Sequence, residues 1–562
     1  MSATQPRRDD GAPRGEVTPS TGTSDATGAP ATAALREPLF RALWVAALAS
    51  NVGTWMQNTA AAWLMTDLTT SSTPVALVQT ATYLPMFVIG LLAGALADIA
   101  DRRRLLLFTQ AGMGLGATAL GVLTLAGAVT PALLLAFTFA IGLGTALMLP
   151  AWQAVIPDTV SGRAIPSAVA LNAASINIAR ATGPALGGVI VAIAQSGWVF
   201  LLNALSFLWL MIVLARWRAE RAEDTALREH VLSAVRAGGR YVRHAPMLRA
   251  VLVRTALFTL FASATWALLP LVARRQGLGS AGYGGLLACL GLGAVAGAVI
   301  LPRLRERLTM DSLVTLSTIV FAGVSVALAY LDELSLLAAI LVVGGFAWIT
   351  ALASLTTITT TAAPAWVRAR ALAAYLLVFQ GAMAIGSAGW GGIAETQGQE
   401  MALAIAGAGF AVAVAAGLRW RIGSAQGVDL TPTPPRELEL EWNPNMDQGP
   451  VLVLVDYRIE PERAEEFERA VRELGRIRRR DGARSWGIFR DPTDHRRYIE
   501  SFVVESWAEY LRQRERLTMS DLRTQEEVRG FHVGEDPPRV SRFVGPARAP
   551  ASGRRRGLMP FG

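Results

Sequence analysis

Between about Leu39 and Trp420 the chain is a succession of apolar blocks separated by short polar breaks. Each block is long enough to cross a ~30 Å hydrocarbon core as a helix, which needs about 20 residues at 1.5 Å each. A helix satisfies its own backbone donors and acceptors there, which an open strand cannot do. The pattern predicts twelve membrane-spanning helices, near 39–66, 74–97, 104–127, 131–156, 165–194, 197–216, 249–272, 281–302, 311–331, 335–358, 367–394 and 400–420.

The polar breaks give these helices a direction, because short loops on the cytoplasmic side hold an excess of basic residues. One side carries Arg36 and Arg41, then Arg102, Arg103 and Arg104, then Arg163, and then the segment from Arg216 to Arg249. Arg303, Arg305, Arg307, Arg368, Arg370, Arg419 and Arg421 fall on the same side. The opposite loops carry no arginine except Arg274 and Arg275. The alternation predicts a multi-pass protein of the inner membrane with both termini and the central loop in the cytoplasm.

The twelve blocks also read as a repeat. Gly90, Gly94 and Ala95 followed by Arg102 and Arg104 match Gly293, Gly297 and Ala298 followed by Arg305 and Arg307. Pro157, Val160, Arg163 and Ala164 match Pro364, Val367, Arg370 and Ala371, and Gly187-Gly188 matches Gly391-Gly392. These matches keep one order at a nearly constant offset. They imply an all-α membrane body of two parallel six-helix halves, 36–217 and 249–421, joined by a cytoplasmic loop, 218–248. Such a body places a small-molecule site between the halves, near the bilayer midplane.

Composition agrees: 52% of residues are hydrophobic and only 17% charged, against about a quarter charged in soluble chains. The net charge of +9 comes wholly from arginine, since the sequence holds no lysine. The basic balance invites a nucleic-acid partner, but the arginines fall where membrane topology puts them. Cys289 is the single cysteine, which excludes an intrachain disulfide or a cysteine metal site. Without lysine there is no phosphate-binding Gly-Lys-Ser/Thr loop, so direct ATP coupling within the chain is not expected. The first 35 residues lack an apolar core and read as a disordered cytoplasmic tail rather than a signal peptide.

The segment Gly94 to Arg104 resembles the loop signature of the major facilitator superfamily, with Gly94, Asp98, Arg102, Arg103 and Arg104 matching. Ile99 and Asp101 depart from it, and in the second copy Leu301 stands where the acid would be. The resemblance implies a gating contact that braces the two halves in the outward-open state. On physical grounds Gly94 would let a neighbouring helix approach, and Asp101 would cap the third helix. A plain basic loop with a cap is the competing reading. Gly183, Pro184, Gly187 and Gly188 resemble the superfamily's antiporter motif, which implies a bend in the fifth helix and export rather than import. A small-residue packing face is the alternative. Trp55-Met56-Gln57, Ala62-Trp63-Leu64, the stretch from Asn172 to Pro184 and Ala267 to Leu271 resemble the enterobactin-exporter-like, or transmembrane secretion effector, branch.

Polar residues inside spans are costly and are candidates for function. Asn51, Trp55 and Asn58 stripe the first helix, and Gln153 ends the fourth. Asn172, Asn177 and Arg180 lie on the fifth, Arg254 and Trp266 on the seventh, and Gln380 on the eleventh. Amides, tryptophans and arginine suit an amphiphilic or aromatic, anionic compound such as a drug, antibiotic or siderophore. Interhelical hydrogen bonding, worth only ~0.6 kcal/mol on average, is the alternative for each amide. Proton antiport is what the resemblance implies, yet the carboxylates Asp67, Asp98 and Glu395 all sit near helix ends.

Residues 422–449 read as a linker, 450–545 as a small α+β domain and 546–562 as a disordered basic tail. The order βαββαβ in the domain is ferredoxin-like, and it resembles the antibiotic-biosynthesis-monooxygenase type, often dimeric. Trp486, His495 and His532 are the only residues there with catalytic potential, and they show no nucleophile–base or metal spacing. A docking, regulatory or dimerising role is expected, with no catalytic residue, metal or cofactor. A membrane-anchored monooxygenase is the rival function.

Overall fold

The computed structural model describes residues 32–217, 231–422, 429–433 and 440–546. The first half comprises α1 (Pro38–Leu68), α2 (Ser72–Ile99), α3 (Arg102–Leu125), α4 (Pro131–Val155), α5 (Ile165–Ala194) and α6 (Ser196–Arg216). A shorter α7 (Val231–His244) follows. The second half comprises α8 (Pro246–Arg275), α9 (Ser280–Arg307), α10 (Met310–Tyr330), α11 (Leu334–Thr361), α12 (Ala365–Gln397) and α13 (Gln399–Arg419). Among the described residues, eleven of these helices are long and apolar enough to cross a membrane. The exception is α1, which has the length, at 31 residues, but holds Arg41, Asn51, Gln57, Asn58 and Asp67 among its apolar positions.

Packing repeats between the halves. α1 lies on α5 and α6, α2 on α4, and α3 on α4 and α6. In the second half α8 lies on α12 and α13, α9 on α11, and α10 on α11 and α13. Each pair in the first list has its counterpart in the second. The halves meet chiefly through α2 with α12 and α5 with α9, which are also counterparts.

Arg275, one of the two basic residues that break the loop pattern, is occupied structurally. Its guanidinium binds Glu400 at 3.0 Å and donates to the Leu328, Ala329 and Leu331 carbonyls at the end of α10. A cation there complements the exposed carbonyls of a helix C-terminus.

The central segment reads in the sequence as loop- or helix-like, and part of it is α7. It packs on α8 and α12, where Tyr241 meets Trp366 edge-on at 5.4 Å. The expected tails and much of the linker lie outside the described residues. The C-terminal domain runs β1 (Val451–Arg458), α14 (Ala464–Asp481), β2 (Ser485–Arg490), β3 (Arg497–Val504), α15 (Trp507–Glu515), α16 (Met519–Arg529) and β4 (Arg539–Val544). All pairings are antiparallel, in the order β2-β3-β1-β4. β1 buries every second residue, from Val451 to Tyr457. Val455 and Tyr457 share a core with Phe467, Val471 and Leu474 of α14. Where the order βαββαβ calls for one second helix there are two, because Thr518 starts a new helix through a capping box with Asp521.

Candidate functional site

The residues of the glycine motif in α5 are buried against neighbouring backbones. A Cβ on Gly183 would stand 2.5 Å from Trp55 Cβ, and one on Gly187 would stand 2.9 Å from the Met56 backbone, so this face presses on α1. On the adjacent face the contact crosses between halves. A Cβ on Gly188 would lie 2.5 Å from the Ser280 carbonyl, and one on Gly284 would lie 2.6 Å from the Pro184 carbonyl. Here the motif serves close backbone approach, which only glycine permits.

The second inter-half contact, α2 with α12, is built around Glu395. Its Oε2 accepts from Ser71 Oγ at 2.7 Å, Ser72 N at 2.6 Å and Thr73 N at 3.1 Å. A carboxylate from one half thus satisfies the orphan amides that begin a helix of the other. Thr80 Oγ1 donates to the Ala384 carbonyl at 2.9 Å, and Gly381 accommodates the Phe87 ring. Beyond Phe87, Leu91, Leu92, Leu96 and Ile99 of α2 are exposed. The halves are therefore joined at the arginine-poor end.

Between these two regions a belt of aromatic rings crosses both halves. Trp55 of α1 lies 6.5 Å from Trp266 of α8, which lies 5.4 Å from Trp348 of α11. Trp348 lies 6.2 Å from Phe379 of α12, which meets Tyr83 of α2 at 6.3 Å. Arg180 of α5 places its guanidinium 5.7 Å from the centre of the Trp55 ring, within reach of a cation–π attraction. Among the described residues it has no ion-pair partner. The buried Trp266 indole N–H likewise has no acceptor. A lone cation and an unused donor in an aromatic surround can receive an anionic aromatic ligand.

The sequence brought Trp55, Arg180 and Trp266 to attention but missed Tyr83, Trp348 and Phe379. Their only signal is an aromatic ring within an apolar block, which lipid-facing rings share.

The remaining candidates divide. Asn58, Gln153 and Gln380 make no side-chain hydrogen bond among the described residues and remain accessible. Asn51 donates to Ser175 Oγ at 3.0 Å, and Asn172 Oδ1 accepts from Trp152 Nε1 at 3.1 Å, so both are engaged within the first half. Asn177 donates to the Ala173 carbonyl one turn back at 3.0 Å. Arg254 departs from the expectation of ligand binding. It is only 3% exposed, pairs with Asp311, and gives a second bond to Thr315 Oγ1 at 2.6 Å. A guanidinium so consumed fastens α8 to α10.

The loop between α2 and α3 carries the residues of the expected gating contact. A Cβ on Gly94 would meet nothing within 4 Å, so no helix approaches it closely. The Asp98 side chain lies outside the described residues. Arg102 pairs with Asp158 at 3.2 Å, and Arg103 donates to the Leu214 carbonyl at 3.1 Å and to that of Ala215. The Arg104 amide donates to Asp101 at 3.0 Å, which is the expected cap. These contacts all stay inside the first half.

In the C-terminal domain, Trp486 Nε1 donates to the buried Glu500 at 3.0 Å. His532 Nδ1 accepts from the Arg458 amide at 2.9 Å, and His495 contributes a backbone carbonyl to Arg490. Each has a structural task. Among the described residues no group of three His, Cys, Asp or Glu side chains is placed to hold a metal ion.

Comparison with known proteins adds a relationship. The sequence pattern of the family described as "Transmembrane secretion effector" matches residues 29–550. The chain is 28% identical over 285 residues to the enterobactin exporter EntS of Shigella dysenteriae serotype 1, covering 50% of this chain and 67% of that protein. It is 27% identical over 321 residues to EntS of Escherichia coli O1:K1, covering 57% and 76%. Among solved structures, an inward-facing, unoccupied bacterial homolog of the human lysosomal transporter Spinster superposes with a TM-score of 0.56 at 14% identity, covering 69% of this chain and 97% of that one. The nucleoside transporter NupG superposes with a TM-score of 0.53 at 12% identity, covering 68% and 98%.

Proposed function

This chain belongs to the transmembrane secretion effector family of major facilitator transporters, and on that premise we propose that it exports a small amphiphilic compound with an aromatic, anionic part. The observation that carries the proposal is the belt from Trp55 to Tyr83 with the unpaired Arg180 beside it. Aromatic faces offer stacking area and Arg180 offers a charge. Siderophores with aromatic groups have that chemistry, in keeping with the enterobactin exporters among its relatives.

The mechanism is alternating access, with α1 as the twelfth span and both termini in the cytoplasm. The arginine-rich end then faces the cytoplasm, and the structure is the state that loads substrate from inside. Each half rocks on the glycine contacts of α5 with α9 and on the α2–α12 contact, and the belt passes from one side to the other. Export is coupled to proton entry. Opening the arginine-poor end breaks the three bonds to Glu395 and frees a carboxylate to take a proton from outside. Asn58, Gln153 and Gln380 supply uncommitted amides along the route. The C-terminal domain is ferredoxin-like and has a docking role, with a second copy as one partner through its sheet.

Inverted vesicles carrying the protein, given a proton gradient and a panel of aromatic anions, test this. Gradient-dependent uptake of at least one compound is expected. Arg180→Ala should lose it by roughly tenfold or more, as for a missing charged hydrogen-bond partner, and Arg180→Lys should retain part. Normal uptake by Arg180→Ala would overturn the assigned site.

A further inference from the structure

A second concentration of charge lies far along the chain from the belt, where α7 meets the C-terminal domain. Arg480 sits over the Tyr241 ring at 5.3 Å, and Arg516 sits over Trp366 at 4.4 Å. Arg240 pairs with Glu509 at 2.9 Å. Beside these contacts opens a cleft of about 480 Å³, lined by Arg240, Arg243 and His244 from α7 and by Arg479, Ala483 and Arg484 from the domain. Among the described residues no acidic side chain lines it. At Gly239, on its wall, a Cβ would meet nothing within 4 Å.

The cations in the cleft are incompletely used. Arg240 Nε is buried without a partner. Arg243 has no hydrogen bond or ion pair among the described residues. Arg479 lies over Trp486 at 5.2 Å and gives only its Nε to the Gly475 carbonyl. Arg484 holds Glu505 at 2.6 Å on the exposed rim. Burial, together with Arg479, Arg243, Arg240 and Arg249, holds the His244 imidazole below its ordinary pKa. Burial is the larger cause and the arginines add to it, and like charges gathered so closely oppose the docking that brings them together. A bound anion removes that opposition.

We propose that this cleft binds a phosphate-bearing anion that bridges α7 and the C-terminal domain. Guanidinium forks match phosphate oxygens two at a time, and arginines converging from two elements give a bridge rather than a surface contact. The volume exceeds that of a lone phosphate and falls in the range of small-ligand sites, about 300–1,000 Å³. A soluble phosphorylated compound and a phospholipid headgroup share this chemistry. Because α7 leads directly into α8, the bridge fastens the domain to the second half, whatever compound the belt carries.

The test uses the full chain in zwitterionic nanodiscs, titrated calorimetrically with inorganic pyrophosphate. A parallel arm incorporates anionic phospholipid and counts retained lipid by native mass spectrometry. Saturable binding is expected in one arm, weakened roughly tenfold or more by Arg243→Gln combined with Arg479→Gln. Arg523→Ala, at an exposed position outside the cleft, should leave it unchanged. Arg243→Gln alone should also weaken it without loss of thermal stability, since Arg243 holds no partner in the fold. Binding in the first arm identifies a soluble ligand and binding in the second a headgroup. No binding in either arm, or binding that survives both arginine variants, overturns the proposal.

Discussion

The two ends of the helical body are held by different physics. At the arginine-poor end the halves touch backbone to backbone through Gly188 and Gly284, and through a carboxylate set on helix amides. At the arginine-rich end two ion pairs among the described residues lie within a half: Arg102 with Asp158 in the first, Arg254 with Asp311 in the second. Short-range contacts fail within an ångström and re-form as readily, whereas charge contacts inside a half keep that half rigid. In the proposed rocking cycle the contacts that open are glycine packing and hydrogen bonds to one carboxylate, and each half that moves is made firm by charge.

The strongest way to break this contrast is Gly188→Leu. Overpacking costs ~1–3 kcal/mol, which shifts the balance between the two end-states by roughly 5- to 150-fold. Transport should fall accordingly, and a cysteine placed at Thr80 should become labelled from the arginine-poor side. Unchanged labelling would show that the glycines do not set closure. Glu395→Gln should act more weakly, shifting the same labelling by about tenfold, the low end for hydrogen bonds to a charged group. If Gln behaves as Glu, the latch is hydrogen bonding alone and proton coupling must be sought elsewhere. Arg102→Ala should do least. Both partners of its pair are nearly half exposed, so a loss of no more than ~1 kcal/mol in thermal stability and no shift in labelling are expected. A large shift would mean that the loop braces the halves after all.

Much of the body was legible because lipid imposes a simple rule on every helix: length and apolarity. The arginine pattern is equally legible, as a bias between the loops at the two ends. Arg275 broke it because helix-end carbonyls and Glu400 neutralise it locally, which loop counting cannot register. Arg180 was legible as a charge in an apolar run. Arg254 carried the same signal and proved structural, since its partner Asp311 lies 57 residues away. The belt residues Tyr83, Trp348 and Phe379 were silent because a ring packed between the halves and a ring facing lipid have the same local sequence. The two faces of α5 were also hidden. One glycine motif serves α1 and α9 at once, and only the packing separates Gly183 from Gly188. In the domain, Thr518 and Asp521 carried the signature of a helix start that would have divided the second helix.

The seating of α7 has a mechanical result. Its packing partners are α8, α12 and α14, so the C-terminal domain is a passenger of the second half. If the halves rock as proposed, its distance to α12 stays constant while its distance to the first half rises and falls with each turnover. A pair of spectroscopic labels on the domain and on α6 would therefore act as a stroke counter, and a pair on the domain and α12 would be its stationary reference.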